Sequence, residues 1–176
     1  NLRISYEASE KYMDYLNYHT DESNRFTSSH DGPWVEEYRK FEETHTNPDR
    51  LVASLFKDKY FILKKVNPKE LMWGMYWVAS DMQNAETKVS FYDLFKGQEL
   101  FDLWQCVNYR FYVGNANHAD GKGIVVANAK SLLRNILDSA DEAIRKGGIA
   151  ATLRFGHDGN VIPLVALMQI ENCNVA

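Results

Sequence analysis

The hydrophobic pattern changes its period at Gly147-Gly148, and this change constrains the fold more than any other feature of the sequence. Before the glycine pair, apolar side chains recur every three or four residues from about Ile124 to Lys146, as they do on one face of a helix. A glycine just past the last helical residue commonly ends such a helix. The pattern therefore predicts a long amphipathic helix that stops at Gly147.

After the pair, residues 149–155 (IAATLRF) form a short, mainly apolar run whose length is typical of a strand. Residues 156–160 then predict a turn, and a helix follows from about Ile162 to Gln169. A strand, a tight turn and a helix in this order are typical of an α/β sheet edge where ligands bind. We therefore predict a mainly α chain, with a helical domain over residues 1–146 and part of an α/β core over residues 147–176.

Two Asn-Pro pairs predict helix starts in the first half of the chain. At Asn47-Pro48 and Asn67-Pro68, a capping residue precedes a proline whose missing N–H would be unpaired at the first helical position anyway. The second of these helices is predicted to be largely buried because of its apolar stripe, which consists of Leu71, Met72, Met75, Tyr76, Val78, Ala79 and Met82. Further helices are predicted over residues 7–18, 34–43 and 99–113, the last as an aromatic-rich core helix, whereas the polar stretch 20–32 predicts an exposed loop.

Charge and hydropathy exclude several classes of function. The formal net charge is -4, so the chain as a whole has no basic field that would attract nucleic acid or an anionic membrane surface. No apolar run reaches the roughly 18 residues of a membrane span, and the start carries no basic segment followed by an apolar one. Because the sequence begins at Asn1 rather than Met, we expect a processed or cut chain, and a removed export signal stays possible.

The two cysteines, Cys106 and Cys173, do not have the CxxC or Cys/His spacing of a metal site. Cys106 falls within a helical pattern, which favours a buried thiol that packs as a small hydrophobic side chain. A disulfide between the two cysteines is the alternative.

Residues 156–160 (GHDGN) hold the side chains best suited to chemistry. Glycines on both sides let the backbone approach a ligand closely, and the helix that follows offers free N–H groups to an anion such as phosphate. His157 would pair with a phosphoryl oxygen, and Asp158 would give a proton to the leaving oxygen, because a nearby phosphate favours the protonated form of a carboxyl group. Strand alternation places Arg154 on the opposite face from His157, which argues against a phosphate contact. By spacing alone, a helix cap or a surface pair explains the same His-Asp dipeptide.

Residues 153–168 (LRFGHDGNVIPLVALM) resemble the C-terminal motif of the branch-two histidine phosphatases, also called histidine acid phosphatases. The frame of Phe155-Gly156-His157 with Pro163-Leu164 and Leu167-Met168 is similar to multiple inositol polyphosphate phosphatases and phytases. Weaker similarity extends back to about residue 60. The resemblance implies a C-terminal fragment in which a helical cap domain adjoins a phosphoglycerate-mutase-like α/β core.

The resemblance also implies a reaction, namely phosphate monoester hydrolysis through a phosphohistidine intermediate, without a cofactor or a metal. The substrate would be a phosphorylated small molecule, an inositol polyphosphate such as phytate. A histidine in an RHGxRxP motif attacks phosphorus, His157 stabilises the equatorial oxygens and Asp158 protonates the leaving alkoxide. Asn160 is a candidate substrate contact, with capping of the next helix as the alternative. The family resemblance favours a periplasmic or secreted location.

Two departures from the family pattern affect these expectations. Inositol polyphosphate phosphatases commonly have His-Ala-Glu where this chain has His157-Asp158-Gly159, which is similar to phytases and acid phosphatases instead. In addition, RHGxRxP is absent, and none of the five histidines follows an arginine. We therefore expect the chain alone to be inactive.

The alternative function is a non-catalytic helical binding or oligomerisation module. A metal-dependent HD-type phosphohydrolase would need more clustered ligands than five scattered histidines provide.

We favour structural interpretations for two further His-Asp combinations, and Lys122 is considered separately. His118 with Asp120 suggests a metal or phosphate site, but a solvated loop explains the pair more simply. His30-Asp31 precedes Gly32-Pro33 and predicts a turn. Lys122 is a candidate contact for a substrate phosphate in the full enzyme.

Overall fold

A computed structural model describes residues 19–147 and 151–170 of the chain. Within these residues the protein is mainly helical, which confirms the helical part of the predicted fold. The α-helices are α1 (Asp21–Thr27), α2 (Val35–His45), α3 (Pro48–Leu55), α4 (Lys59–Lys65), α5 (Pro68–Asp81), α6 (Gly97–Asn115), α7 (Lys130–Lys146) and α8 (Asp158–Leu167). Short 3-10 helices cover Met82–Asn84, Tyr92–Leu94, Ala119–Gly121 and Val126–Ala129.

The chain divides into two compact units. The central unit is Glu36–Tyr109, and the terminal unit combines Asn1–Val35 with Arg110–Ala176, within which only the residues given above are described. The terminal unit is thus assembled from two stretches of chain that flank the central unit in sequence. A boundary at Gly147 between a helical domain and an α/β core stays a prediction, because residues 148–150 lie outside the described residues.

Both Asn-Pro pairs begin helices, as predicted. Asn47 Oδ1 accepts the backbone N–H of Arg50 at 3.1 Å at the start of α3. Asn67 Oδ1 accepts the N–H groups of Lys69 at 3.1 Å and Glu70 at 3.3 Å at the start of α5. Each asparagine pairs N–H groups that have no partner inside the first turn, and this fixes where the two helices begin.

The core of the central unit forms from α3, α5, α6 and the segment before α6. Its buried side chains are Leu51, Met72, Tyr76, Phe95 and Leu103. Three of the predicted stripe residues of α5 are buried, namely Met72, Tyr76 and Ala79. Val78 and Trp104 are about half exposed, so the prediction that they are core residues is wrong.

A buried carboxylate joins α2 to α5 in the central unit. Glu42 accepts the indole N–H of Trp73 at 2.7 Å and the ammonium group of Lys69 at 2.5 Å. These two partners lie four residues apart on α5, and therefore on the same side of that helix. Because a buried charge is tolerated only when it is paired, the three side chains hold α2 and α5 in one register.

Aromatic ring contacts bring the two ends of the central unit together. The ring of Tyr109, the last residue of the unit, lies 5.6 Å from the ring of Tyr38 and 5.4 Å from the ring of Phe41. Tyr38 and Phe41 belong to the first turns of α2. The chain therefore enters and leaves the central unit at neighbouring points.

The terminal unit contains α1, although residues 20–32 are polar and predict an exposed loop. That prediction is wrong for residues 21–27. Thr20 Oγ1 caps the helix by accepting the N–H of Ser23 at 3.0 Å, and Ser23 and Phe26 are buried. The indole N–H of buried Trp34 donates to the carbonyl oxygen of Phe26 at 2.8 Å, which fixes the end of α1.

A separate hydrophobic core, in the terminal unit, holds α8 in place. Its buried members are Ala116, which directly follows α6, Val126 of the 3-10 helix before α7, and Ala166 of α8. Gly147 ends α7 with a φ of 67°, which confirms the predicted glycine stop. The α7 helix itself begins at Lys130 rather than Ile124, because the 3-10 turn Val126–Ala129 precedes it.

Several predicted features lie outside the described residues. They are the helix over residues 7–18, the first two residues of the predicted strand, Ile149 and Ala150, and Cys173. No strand is present in residues 19–147 or 151–170, so the α/β core stays a prediction. None of the helices in these two ranges is long and apolar enough to cross a membrane.

Cys106 is fully buried in the central unit, which confirms its interpretation as a packed thiol. Burial, and to a smaller extent the nearby carboxylates of Glu42 and Asp102, raise the pKa of this thiol from 9.0 to about 11. The unfolded chain therefore releases this proton more readily than the native chain. The stabilisation from the neutral thiol is complete below pH 9.0 and is lost as the pH rises to about 11.

We expect Cys106 to resist thiol reagents at neutral pH until the central unit unfolds, because the thiolate is the reacting form. A Cys173→Ser variant leaves Cys106 as the single thiol, and its labelling by a disulfide reagent is followed across a urea titration. Labelling should rise together with the loss of helical circular dichroism. Rapid labelling of the native variant would contradict the buried position of Cys106.

Candidate functional site

His157 and Asp158 lie together at the N-terminus of α8. His157 is the N-cap residue with an extended backbone (φ -100°, ψ 174°), and Asp158 is the first helical residue. The backbone N–H groups of Asn160 and Val161 both donate to the carbonyl oxygen of His157, at 2.9 and 3.0 Å. The helix therefore begins at Asp158 rather than at the predicted Ile162, and the predicted turn ends at His157.

The carboxylate of Asp158 is held at the helix N-terminus by its neighbour. Asp158 Oδ1 accepts the backbone N–H of Gly159 at 2.8 Å, while Oδ2 has no hydrogen bond within the described residues. Both His157 and Asp158 are exposed to solvent. A ligand can therefore reach an imidazole and a free carboxylate oxygen at a position where the helix dipole favours negative charge.

The side chain of Asn160 helps to cap the N-terminus of α8. Its Oδ1 accepts the backbone N–H of His157 at 3.4 Å, which is the backward contact of a capping box. This contact fits the capping alternative for Asn160. A contact between Asn160 and a substrate stays a prediction.

In the segment before His157, Arg154 is the residue that turns its side chain away from solvent. Leu153 and Phe155 are 78% and 84% exposed, while Arg154 between them is turned toward α7. Arg154 donates to Asn135 Oδ1 at 2.9 Å and to Ser139 Oγ at 3.0 Å. The guanidinium group thus anchors this segment to α7, in agreement with the prediction that Arg154 faces away from the motif.

Asn115 is a polar neighbour of the site that sequence reasoning missed. A Cβ atom built on Gly159 would lie 3.6 Å from Asn115 Oδ1, so the end of α6 borders the first turn of α8. The hydrophobic core around Ala116 and Ala166 causes this approach. No local pattern in the sequence signals it, because Asn115 is far from the motif along the chain.

The loop between α6 and α7 is partly packed: Gly121 is buried, whereas Asp120 is exposed. His118 caps the 3-10 helix Ala119–Gly121 by accepting the backbone N–H of Asp120 on Nδ1 at 3.3 Å. Its ring centre lies 5.2 Å from that of Tyr112 and 6.2 Å from that of Phe26. His118 therefore has a structural role in the terminal unit. Lys122 follows with a φ of 46°, and its contact with a substrate phosphate stays a prediction.

A cleft in the central unit is lined by polar side chains that already have partners. Arg50 forms an ion pair with Glu99 and donates to the carbonyl oxygen of Leu94 at 2.9 Å. His45 Nδ1 lies 2.7 Å from the carbonyl oxygen of Phe41. The lining residues are His45, Thr46, Asn47, Arg50, Leu51, Met72, Phe95, Glu99 and Leu103. We interpret this cleft as a structural junction rather than a binding site.

No family model matches the chain, and no curated protein matches it.

Proposed function

We propose that this chain supplies the cap and the proton-donor half of a histidine acid phosphatase that acts on inositol polyphosphates. One observation carries the proposal: His157 and Asp158 are exposed together at the N-terminus of α8, and the backbone of His157 is extended where it enters the helix. The motif resemblance implies a His-Asp pair at the start of a helix. A periplasmic or secreted location belongs to the same proposal.

In the proposed reaction, the nucleophile is a histidine of an RHGxRxP motif from outside these 176 residues. Its imidazole nitrogen attacks phosphorus while the bond between phosphorus and the ester oxygen breaks. Protonated Asp158 transfers its proton to that oxygen, so the leaving group departs as an alcohol. Water then hydrolyses the phosphohistidine, and the Asp158 carboxylate takes up the proton that water loses.

His157 has a separate role in this scheme. Its imidazole donates a hydrogen bond to an equatorial oxygen of the phosphoryl group, where negative charge is concentrated during transfer. The bond from Gly159 N–H to Asp158 Oδ1 keeps the carboxylate beside His157 and leaves Oδ2 available to the leaving oxygen. The two side chains therefore act on different oxygens of the same phosphate ester.

The exposed apolar surface of the terminal unit supports the proposal. Leu153 and Phe155 of the segment before α8 are 78% and 84% exposed, and Leu137 and Ile144 of α7 are 52% and 84% exposed. Exposed apolar side chains in such number are typical of a surface that another part of a protein covers. In the proposed phosphatase, the sheet of the α/β core provides that cover.

The same surface favours a second candidate function, a helical binding or oligomerisation module without turnover. In that case, Leu137 and Ile144 bind a partner protein or a second copy of the chain. The absence of an RHGxRxP motif from the sequence is also consistent with this candidate.

Phosphate release separates the two candidates. The intact gene product and the 176-residue chain are each assayed with phytate and with p-nitrophenyl phosphate, and acid-labile phosphohistidine is sought after rapid denaturation. The phosphatase proposal expects turnover and the intermediate in the intact product only. If the intact product releases no phosphate from either substrate while the chain forms a defined oligomer, the binding module is correct and the phosphatase proposal is wrong.

A further inference from the structure

A short helix of the central unit exposes large apolar side chains that the proposed phosphatase function does not use. Helix α4 contains no buried residue. Tyr60 is 72% exposed and Leu63 is 78% exposed, the two most exposed large hydrophobic residues of the central unit. Neighbouring exposed apolar side chains of this size are a feature of surfaces that bind a partner or a membrane.

The helix is nevertheless well defined at its start. Asp58 Oδ1 accepts the backbone N–H groups of Tyr60 at 2.9 Å and Phe61 at 3.0 Å. The ring of Phe61 also lies 5.6 Å from the ring of Phe56, which precedes the helix. The cap and this ring contact hold α4 while its outer face stays free.

Lysines flank the apolar side chains on that outer face. Tyr60 and Leu63 lie three residues apart and thus on one side of the helix, and Lys59 and Lys64 lie four residues from Leu63 and Tyr60 respectively. Both lysines are exposed. The outer face of α4 therefore has an apolar centre between two ammonium groups.

The charge of this region is opposite to that of the whole chain. Residues 57–65 contain four lysines and one aspartate, a net charge of +3, whereas the chain carries -4. Charges separated by more than about 10 Å are largely screened at physiological salt, so a partner at α4 responds mainly to the local charge. From the net charge of the whole chain, we expected no attraction to an anionic surface. That expectation does not apply to the outer face of α4.

We propose that the outer face of α4 binds an anionic phospholipid surface. The ammonium groups of Lys59 and Lys64 pair with headgroup phosphates while their alkyl stems lie along the apolar boundary. The Tyr60 ring suits the headgroup level, and Leu63 enters the acyl boundary. The proposal does not depend on the phosphatase function.

Other occupants fit this face less well. A second copy of the chain would place lysines against lysines across a symmetric interface, which is repulsive. A nucleic acid would pair with the lysines but would leave the aliphatic Leu63 without a favourable contact, since single strands bind by stacking on aromatic rings. A lipid surface satisfies both the charged and the aliphatic side chains.

Vesicle co-sedimentation of the full chain tests the proposal. We expect binding to phosphatidylcholine vesicles that contain phosphatidylserine, weaker binding as salt is raised, and little binding to phosphatidylcholine alone. Each lysine near such a surface contributes about fivefold in affinity, so the Lys59→Gln/Lys64→Gln variant should bind about 25-fold more weakly. Leu63→Ser should weaken binding about tenfold because it removes the inserted side chain.

Matched variants on the same unit serve as controls. Lys40→Gln/Lys88→Gln makes the same change in net charge at exposed positions outside α4, and Val89→Ser removes an exposed apolar side chain. Both controls should bind vesicles as the unchanged chain does. Equal binding to neutral vesicles, an equal loss in the control variants, or tighter binding of an oligonucleotide than of vesicles through Lys59 and Lys64 would each overturn the proposal.

Discussion

Asp158→Asn in the intact gene product is expected to lower kcat/KM for phytate by about 10²–10⁴-fold, the range that general acid catalysis contributes. An asparagine keeps the size of the side chain but has no proton to give to the leaving alkoxide. The loss should be much smaller with p-nitrophenyl phosphate, because p-nitrophenolate is stable enough to leave without a proton. Steady-state rates of both substrates, measured on the same preparations, check this difference.

Two further variants test whether the effect is specific to proton donation by Asp158. His157→Ala should lower the rates of both substrates by similar factors, because it removes charge stabilisation that does not depend on the leaving group. Asp141→Asn, at an exposed position of α7, should leave both rates unchanged. If Asp158→Asn leaves the phytate rate unchanged, or lowers both rates equally, Asp158 is not the proton donor.

Gly32→Ala is expected to destabilise the terminal unit by about 3 kcal/mol or more, through overpacking and the loss of a buried hydrogen bond. The new Cβ would lie 2.6 Å from the backbone oxygens of both Phe26 and Ser28 and 2.7 Å from Trp34 Nε1. Backbone atoms cannot move aside as the end of a flexible side chain can. The bond from the Trp34 indole N–H to the Phe26 carbonyl oxygen should therefore break. Urea unfolding followed by circular dichroism measures the loss.

A glycine with free space around it provides the control. Gly114 lies in α6 within the terminal unit, and a Cβ there would meet no atom within 4 Å. Gly114→Ala should leave stability unchanged or raise it by up to about 1 kcal/mol, because alanine is the better helix former. A Gly32→Ala variant as stable as Gly114→Ala would show that the turn at Gly32 is not as tight as described.

Helix starts with strong local signals were predictable from the sequence, whereas α1 was not. Asn47 and Asn67 specify their helices through contacts within three residues, so the pattern alone suffices. Helix α1 lies in a polar segment, and its stability depends on burial of Phe26 and on the bond from Trp34 beyond the following turn. Contacts of this kind follow from tertiary structure, which local propensity does not report.

In the candidate site, too, features set by local sequence were predictable and features set by tertiary packing were not. The motif identified His157 and Asp158 as neighbours before a helix, and the alternation of residues 153–155 correctly placed Arg154 on the side away from Phe155. The first turn of α8 was placed too late, because the glycine at position 159 and the asparagine at position 160 predict a turn, although Asn160 caps the helix here. Asn115 was missed because hydrophobic packing, rather than spacing, brings it to Gly159.

The contact of Tyr109 with Tyr38 has a consequence for the order of folding. The two stretches of the terminal unit are separated in sequence by the whole central unit. Bringing them together closes a loop of that length, and the entropy lost in closing a flexible loop grows with the number of residues in it. Once the central unit has folded, its ends are held side by side, and the loop to be closed becomes effectively short. Folding of the central unit thus prepares assembly of the terminal unit.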